Sequence, residues 1–148
     1  MSENIKISII SPVYMAEDLL QELVDRIKSN VKSITNHFEI ILVEDGSTDN
    51  SWDKIMELKK SHPEIIGLKL SKNFGQHAAI YAGLEQAVGE WIIVMDCDLQ
   101  DDPLHFNDLY NKAIEGWDIV LASRVNRIDS FFKIIFSKLF YRTLGYLT

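Results

Sequence analysis

An α/β domain on a mostly parallel sheet, with helices covering both faces, is what the 148 residues predict. Two patterns carry that expectation. Short, continuously apolar segments alternate with stretches whose apolar residues recur at helical spacing, and strands that are apolar throughout belong to sheets buried on both faces. In addition, every unusual polar cluster follows directly on an apolar strand, which is where ligands bind in open sheets of this kind. With 47% hydrophobic residues, the chain can bury the core of one compact domain.

The elements follow in order. Lys6 to Ser11 is a β-branched strand ending at Pro12, and Glu17 to Ile34 is an amphipathic helix with Leu19, Leu20, Leu23, Val24, Ile27, Val31 and Ile34 on one face. Phe38 to Val43 forms a second strand. Gly46 breaks it, and Asp49 or Asn50 can cap a helix running through Lys60. Ile65 to Leu70 is the third strand. Gly75 to Val88 is a helix whose Ala78, Ala79, Ala82, Gly83 and Ala87 permit close approach to a sheet. Trp91 to Met95 is strand four, Leu104 to Glu115 a helix, and Asp118 to Ala122 strand five.

Composition excludes several function classes. A single cysteine, Cys97, rules out a disulfide framework, and no paired Cys or His spacing suggests zinc, so a reducing compartment is expected. The first residues do not read as a secretion signal, and no apolar run reaches the roughly 18 residues of a membrane span. The net charge of -7 is unevenly spread. Up to Ser123 there are 10 Lys and Arg against 21 Asp and Glu; from Arg124 onward there are 5 against 1. An acidic body argues against nucleic-acid binding, which depends on clustered cations.

The most informative stretch follows strand four. Asp96 and Asp98 are spaced so that both carboxylates project the same way past the strand end, with Gln100 in line. Two carboxylates and an amide offer hard oxygens suited to Mg²⁺ or Mn²⁺ shared with a diphosphate, because so few protein ligands leave coordination positions open. The competing reading is an acidic cap on the helix near Pro103. Convergence of the other clusters at the same ends of the strands favours the metal. No Gly-x-Gly-x-x-Gly or P-loop is present, so binding must rest on carboxylates, a metal and loop backbone.

Five motifs, each after a strand, carry a resemblance: Ser11-Pro12-Val13-Tyr14, Val43-Glu44-Asp45-Gly46-Ser47-Thr48-Asp49, Lys72-Asn73-Phe74-Gly75-Gln76-His77-Ala78-Ala79, Met95-Asp96-Cys97-Asp98-Leu99-Gln100-Asp101-Asp102-Pro103 and Ala122-Ser123-Arg124. Together they resemble the family-2 glycosyltransferases, whose Rossmann-like nucleotide-sugar-binding fold is called GT-A. The fourth motif, with Lys72-Asn73, looks most like the subgroup that transfers sugars to polyprenyl or dolichyl phosphates. The resemblance implies a UDP- or GDP-sugar donor, with Asp45 on the nucleobase, Pro12 and Tyr14 walling its pocket and Glu17 touching the nucleotide. Asp96 would lie near ribose and metal, Asp98 would be the main metal ligand, Gln100 would assist, and Lys72 and Arg124 would face phosphate. Each has a plainer alternative: a turn or cap for Asp45, a first-turn acid for Glu17, a surface charge for Arg124, and a turn former for Asn73. His77 and the three tryptophans read as structural, and Cys97 as a small filler.

The implied chemistry is an inverting single displacement onto a lipid phosphate. That acceptor, with a second pKa about 6, needs no strong base, whereas a saccharide hydroxyl acceptor would need one, and no convincing base is found. Residues 1–124 then form the donor-binding domain and 125–148 the start of an acceptor- and membrane-proximal region. Acceptor-side residues of the family lie beyond the point where this sequence ends, and Met15 stands where many relatives carry Asn. Donor binding without normal turnover is therefore expected of this chain. Residues 128–147, rich in Phe, Ile and Leu with Lys133, Lys138 and Arg142, read as a basic amphipathic helix for an anionic membrane surface at the cytoplasmic face, or for packing on the domain or on a second copy of the chain. A non-catalytic nucleotide-sugar-binding module is the alternative of a different class. A phospho-acceptor signalling domain ranks far lower, because its acidic pair, Asp and Lys are missing from the ends of strands one, three and five.

Overall fold

The structure, a computed structural model, describes residues 5–100 and 102–122. Arg124 and the tail of residues 125–148, with the membrane reading attached to it, lie outside the described residues. The order of elements is β1 (Ile7–Val13), α1 (Leu20–Val31), β2 (Phe38–Glu44), α2 (Ser51–Ser61), β3 (Ile65–Lys69), α3 (Gln76–Gln86), β4 (Trp91–Val94), a 3-10 turn (Pro103–His105) and α4 (Phe106–Ile114). The chain divides into two units, Met1–Trp117 and Asp118–Thr148, and all of these elements belong to the first.

All four strands are parallel, in the order β3-β2-β1-β4. The chain adds strands outward from β1 to β3, then crosses back through α3 to place β4 on the other side of β1. Right-handed crossovers in opposite directions put their helices on opposite faces. Accordingly, Ile7, Ile9 and Val13 of β1 pack with Ile40 and Leu42 of β2 against α1, α2 and Phe106 of α4. On the other face Ile10, Ile41 and Val43 receive Ala79 of α3. β1 and β2 are buried along their whole length, which explains their unbroken apolar runs.

α3 lies close to the sheet because its inner side is nearly bare. A Cβ added at Gly83 would sit 2.5 Å from Ile10 Cγ2 and 3.3 Å from Val43 Cγ2. At the amino ends of the strands, the turn after α3 is held by a buried polar network. Glu39 Oε1 accepts from Ser8 Oγ at 2.5 Å and from Val88 N at 2.9 Å, while Ser8 Oγ accepts from Gly89 N at 2.8 Å. A second polar clasp joins α1 to the segment between α2 and β3: Lys28 Nζ lies 2.7 Å from Glu64 Oε1 and 2.6 Å from His62 Nδ1.

Three expectations are revised. α1 begins at Leu20 rather than Glu17, because Glu17 is engaged with the loop before α2. The last helix opens as a 3-10 turn, with Asp102 accepting from Leu104 N at 3.1 Å and Pro103 in its first turn. No strand is assigned over 118–122: among the described residues they have no ladder partner, and Ile119 and Leu121 are 78% and 84% exposed.

Two predictions follow from this packing. Gly83→Val forces a branched side chain against the stiff Ile10 and should cost about 1–3 kcal/mol, read as a lower urea midpoint with an unchanged slope. For Glu64, partial burial pushes the carboxyl up, but the Lys28 hydrogen bond, the backbone and the charges of Lys28 and His62 outweigh this and hold it below the ordinary 4.5. A depressed carboxylate stabilises the fold above its unfolded pKa, and that contribution is lost as pH falls through the folded value. The stability gap between the wild type and Glu64→Gln should therefore be widest near neutrality and close as urea unfolding is repeated at pH values descending below 4.5.

Candidate functional site

A cleft of about 300 Å³ opens at the carboxyl ends of the strands, lined by Pro12, Val13, Tyr14, Asp45, Asn73, Gly75, Gln76, Asp96, Cys97 and Asp98. It lies where the strand order reverses around β1, the position at which α/β sheets offer a crevice between loops that turn opposite ways. Each wall comes from a different strand end.

The first wall continues β1. Its backbone is strapped to the loop before α2 and to the first residue of α2 by three bonds: Met15 N to Ser47 Oγ at 3.1 Å, Ala16 N to Ser51 Oγ at 3.0 Å, and Glu17 N to Asp49 Oδ2 at 3.2 Å. Glu17 completes the strap by accepting from Asn50 N and Nδ2 at 3.1 Å. This leaves Tyr14 half-exposed at the mouth, with Pro12 and Val13 below it. Glu17 itself is a clamp on the α2 entrance and is not part of the lining.

The second wall is set by Asp45, which is buried. Its own N–H continues the sheet by donating to Val13 O at 2.9 Å. Its carboxylate accepts from Phe74 N at 2.8 Å through Oδ1 and from Gly75 N at 2.9 Å through Oδ2. The loop from Lys72 to Gly75 is thereby drawn onto the end of β2. A Cβ at Gly46, whose φ is 68°, would collide with the backbone of Lys72 and Asn73, so only glycine allows this approach. Lys72 stands at the rim rather than in the lining, with Nζ 5.1 Å from the centre of the Phe74 ring.

The third wall follows β4, whose pairing continues through Met95 N to Ile10 O at 3.0 Å. Asp96 Oδ1 accepts from Gln76 Nε2 at 2.5 Å, and Asp98 Oδ1 accepts from Gln100 N at 3.0 Å in a tight local turn. That turn requires Leu99 at φ 60°, an uncommon conformation for a branched side chain, and Leu99 packs on the core. Between the two acids, burial pushes the Cys97 thiol up, hydrogen bonds from the Tyr14 and Cys97 backbone oppose this, and the adjacent carboxylates add to the rise; the side chain packs on the core.

The structure thus brings Pro12, Tyr14, Asp45, Asp96 and Asp98 together and sets Glu17, Lys72 and Gln100 around them. Gln76 is the lining residue that motif reading quoted without giving it a role. Its signal was its place at the start of a helix that crosses from β3 back to β4. Among the described residues, no three His, Cys, Asp or Glu side chains converge as a metal cage. Two hard carboxylates beside open space nonetheless fit Mg²⁺ or Mn²⁺, ions that keep most of their shell for water and phosphate. Three carboxylates around one cleft also make it hostile to a bare anion.

Comparison with known proteins agrees with this architecture. The model of Glycosyl transferase family 2 matches residues 8–147. S. aureus TarS 1-349 in complex with UDP-GlcNAc is 26% identical, with a TM-score of 0.58 over 74% of this chain and 31% of that one. The mannosyltransferase PcManGT from Pyrobaculum calidifontis, in complex with GDP-Man and Mn²⁺, is 21% identical, with a TM-score of 0.56 over 66% of this chain and 28% of that one. Glucosyl-3-phosphoglycerate synthase from Mycobacterium tuberculosis, in complex with Mn²⁺, UDP and glucosyl-3-phosphoglycerate, is 19% identical, with a TM-score of 0.59 over 75% and 40%. The chain spans between 28% and 40% of the length of these three proteins, and the last two share its fold without arguing more. Since the family model runs from β1 past the last described residue, on a sheet and loop order of the GT-A kind, the chain belongs to glycosyl transferase family 2.

Proposed function

We propose that the cleft binds the nucleoside diphosphate of a sugar donor together with Mg²⁺ or Mn²⁺, and that the chain serves inverting transfer of the sugar to a polyprenyl phosphate. The observation that carries this reading is the meeting of Asp96 and Asp98 with Asp45, Pro12 and Tyr14 in one cleft of a family 2 chain. The neighbouring TarS structure, at 26% identity, holds UDP-GlcNAc, which supports a nucleotide sugar here; the divalent ion rests on the two hard carboxylates of the cleft.

Asp98, Asp96 and Gln100 would hold the cation, which when bound supplies Lewis-acid stabilisation to a departing diphosphate. The remaining roles belong to the chain itself. Pro12 and Tyr14 wall the base, and Asp45, while fixing the loop from Lys72 to Gly75, offers its remaining acceptor capacity to a base N–H. Arg124, outside the described residues, is assigned to phosphate oxygens, which a guanidinium meets two at a time. Lys72 adds positive charge at the rim. The acceptor oxygen forms the new bond to the anomeric carbon as the bond to the diphosphate breaks, so the anomeric configuration inverts. With a second pKa about 6, a lipid phosphate is already ionised at neutral pH and requires no base from the protein.

We read residues 1–124 as the donor-binding part and 128–147 as the basic amphipathic segment that meets anionic lipid at the cytoplasmic face. Among the described residues, no helix is long and apolar enough to cross a membrane.

A thermal-shift screen of UDP- and GDP-sugars with and without Mn²⁺ tests the donor site. The expected outcome is a Mn²⁺-dependent rise of several degrees with one nucleotide series at saturation, lost in Asp98→Ala; indifference to every nucleotide sinks the reading. Asp45→Ala should abolish binding and also lower stability by about 1–3 kcal/mol, because the Phe74 and Gly75 amides lose their acceptor. Urea unfolding of that variant separates the two effects. For the tail, co-sedimentation with vesicles containing anionic lipid should exceed that with neutral vesicles and fall with added salt; equal sedimentation counts against the membrane assignment.

A further inference from the structure

We propose that Gln76 is a positioning residue that couples the base end of the cleft to its metal end, by holding the Asp96 carboxylate in place. The inference rests on the nucleotide-sugar reading above and names a residue that reading does not use.

Three observations carry it. First, the side-chain amide of Gln76 donates to Asp96 Oδ1 at 2.5 Å. Asp96 is reached from outside its own loop, across the cleft, by the first residue of α3. Second, the backbone that presents Gln76 is itself held from a third strand end. Asp45 accepts from Phe74 N and Gly75 N, the two amides that precede it, and Asn73 Oδ1 also accepts from Gly75 N at 3.1 Å. Third, Gly75 has φ 91°, yet a Cβ there would meet nothing within 4 Å. The glycine is needed for the backbone turn that aims Gln76 into the cleft, not for space.

These bonds form one continuous path from Asp45, at the end of β2, through Phe74 and Gly75 to Gln76 and on to Asp96, after β4. The two strands are not neighbours in the sheet, since β1 lies between them. A nucleotide whose base rests at Asp45 and whose diphosphate shares a cation at Asp96 and Asp98 would occupy both ends of that path. Fixing Asp96 Oδ1 on the α3 side sets the carboxylate plane before a cation arrives. An amide that orients a metal-binding carboxylate in this way typically governs affinity by about 10- to 100-fold. Because coupling is reciprocal, nucleotide should tighten Mn²⁺ binding by the same factor that Mn²⁺ tightens nucleotide binding.

Gln76→Met keeps the length of the side chain and removes the donor, and the exposed position of Gln76 allows the substitution without repacking. Titration of the whole chain with Mn²⁺, followed by electron paramagnetic resonance with and without UDP or GDP, should show a Kd raised about tenfold in Gln76→Met when nucleotide is present. Nucleotide affinity in EDTA should stay within twofold of the wild type. A wild type that binds no nucleotide in a Mn²⁺-dependent way overturns the underlying reading and this inference together. Wild-type binding with an unaltered Gln76→Met overturns the inference alone, and so does an equal loss with Mn²⁺ and in EDTA, which marks Gln76 as a loop support. An independent readout needs no ligand: the side-chain amide resonance of Gln76 should shift and lose protection from exchange in Asp96→Ala, and its indifference would refute the hydrogen bond on which the proposal stands.

Discussion

Asp45 holds the cleft together. One carboxylate, placed by the last sheet bond of β2, accepts two consecutive amides of the loop that leads into α3. Everything on that side of the cleft, including the direction of Gln76 and the rim formed by Lys72 and Phe74, depends on this grip. The bonds are charge-assisted and partly buried, so they count for more than surface contacts of the same length. The nearby Gly46 shows how tightly the loop is drawn in, since no larger residue fits against the backbone of Lys72 and Asn73.

The same constraint makes the site strongly acidic. Asp45, Asp96 and Asp98 line one cleft, and a diphosphate entering alone would meet three carboxylates. At the short distances of a cleft and an effective dielectric near 20, each like-charge approach costs on the order of kcal/mol. A divalent cation reverses the sign of that field. A divalent cation at Asp96 and Asp98 would, with the positive charge of Lys72 and Arg124, reconcile the acidic cleft with the anionic donor proposed for it.

Much of this architecture was legible in the chain, and the limits of legibility are physical. β1 and β2 stand out because they are covered on both faces, so sequence and burial coincide. The small residues of α3 announced a close approach, and Gly83 against Ile10 fulfils it. Asp118 to Ala122 looked like a strand by apolar content alone, but a strand exists only where a neighbour supplies the ladder. The lining positions of Tyr14, Asp45, Asp96 and Asp98 were readable from their places after strands, and that of Pro12 from its place near the end of β1, which runs on to Val13. The bond from Gln76 to Asp96 was not, because it joins residues twenty apart through a crossover whose geometry no local pattern records. Glu17 was ambiguous for a related reason: an acid in a first turn and an acid clamping another loop look alike until Asn50 is seen beside it.

The cleft is stiff where chemistry needs it to be. Leu99 and Met15 both hold left-handed backbone, at φ 60° and 53°, and such conformations cost on the order of 1–3 kcal/mol each unless their surroundings enforce them. Leu99 is enforced by burial of its side chain on the core, and Met15 by the bond of its amide to Ser47. The strain is thus stored in the two loops that carry Asp98 and Tyr14, and it is offset by packing and hydrogen bonds made elsewhere in the fold. Two loops fixed from outside in this way present Tyr14 and Asp98 to the cleft in set positions.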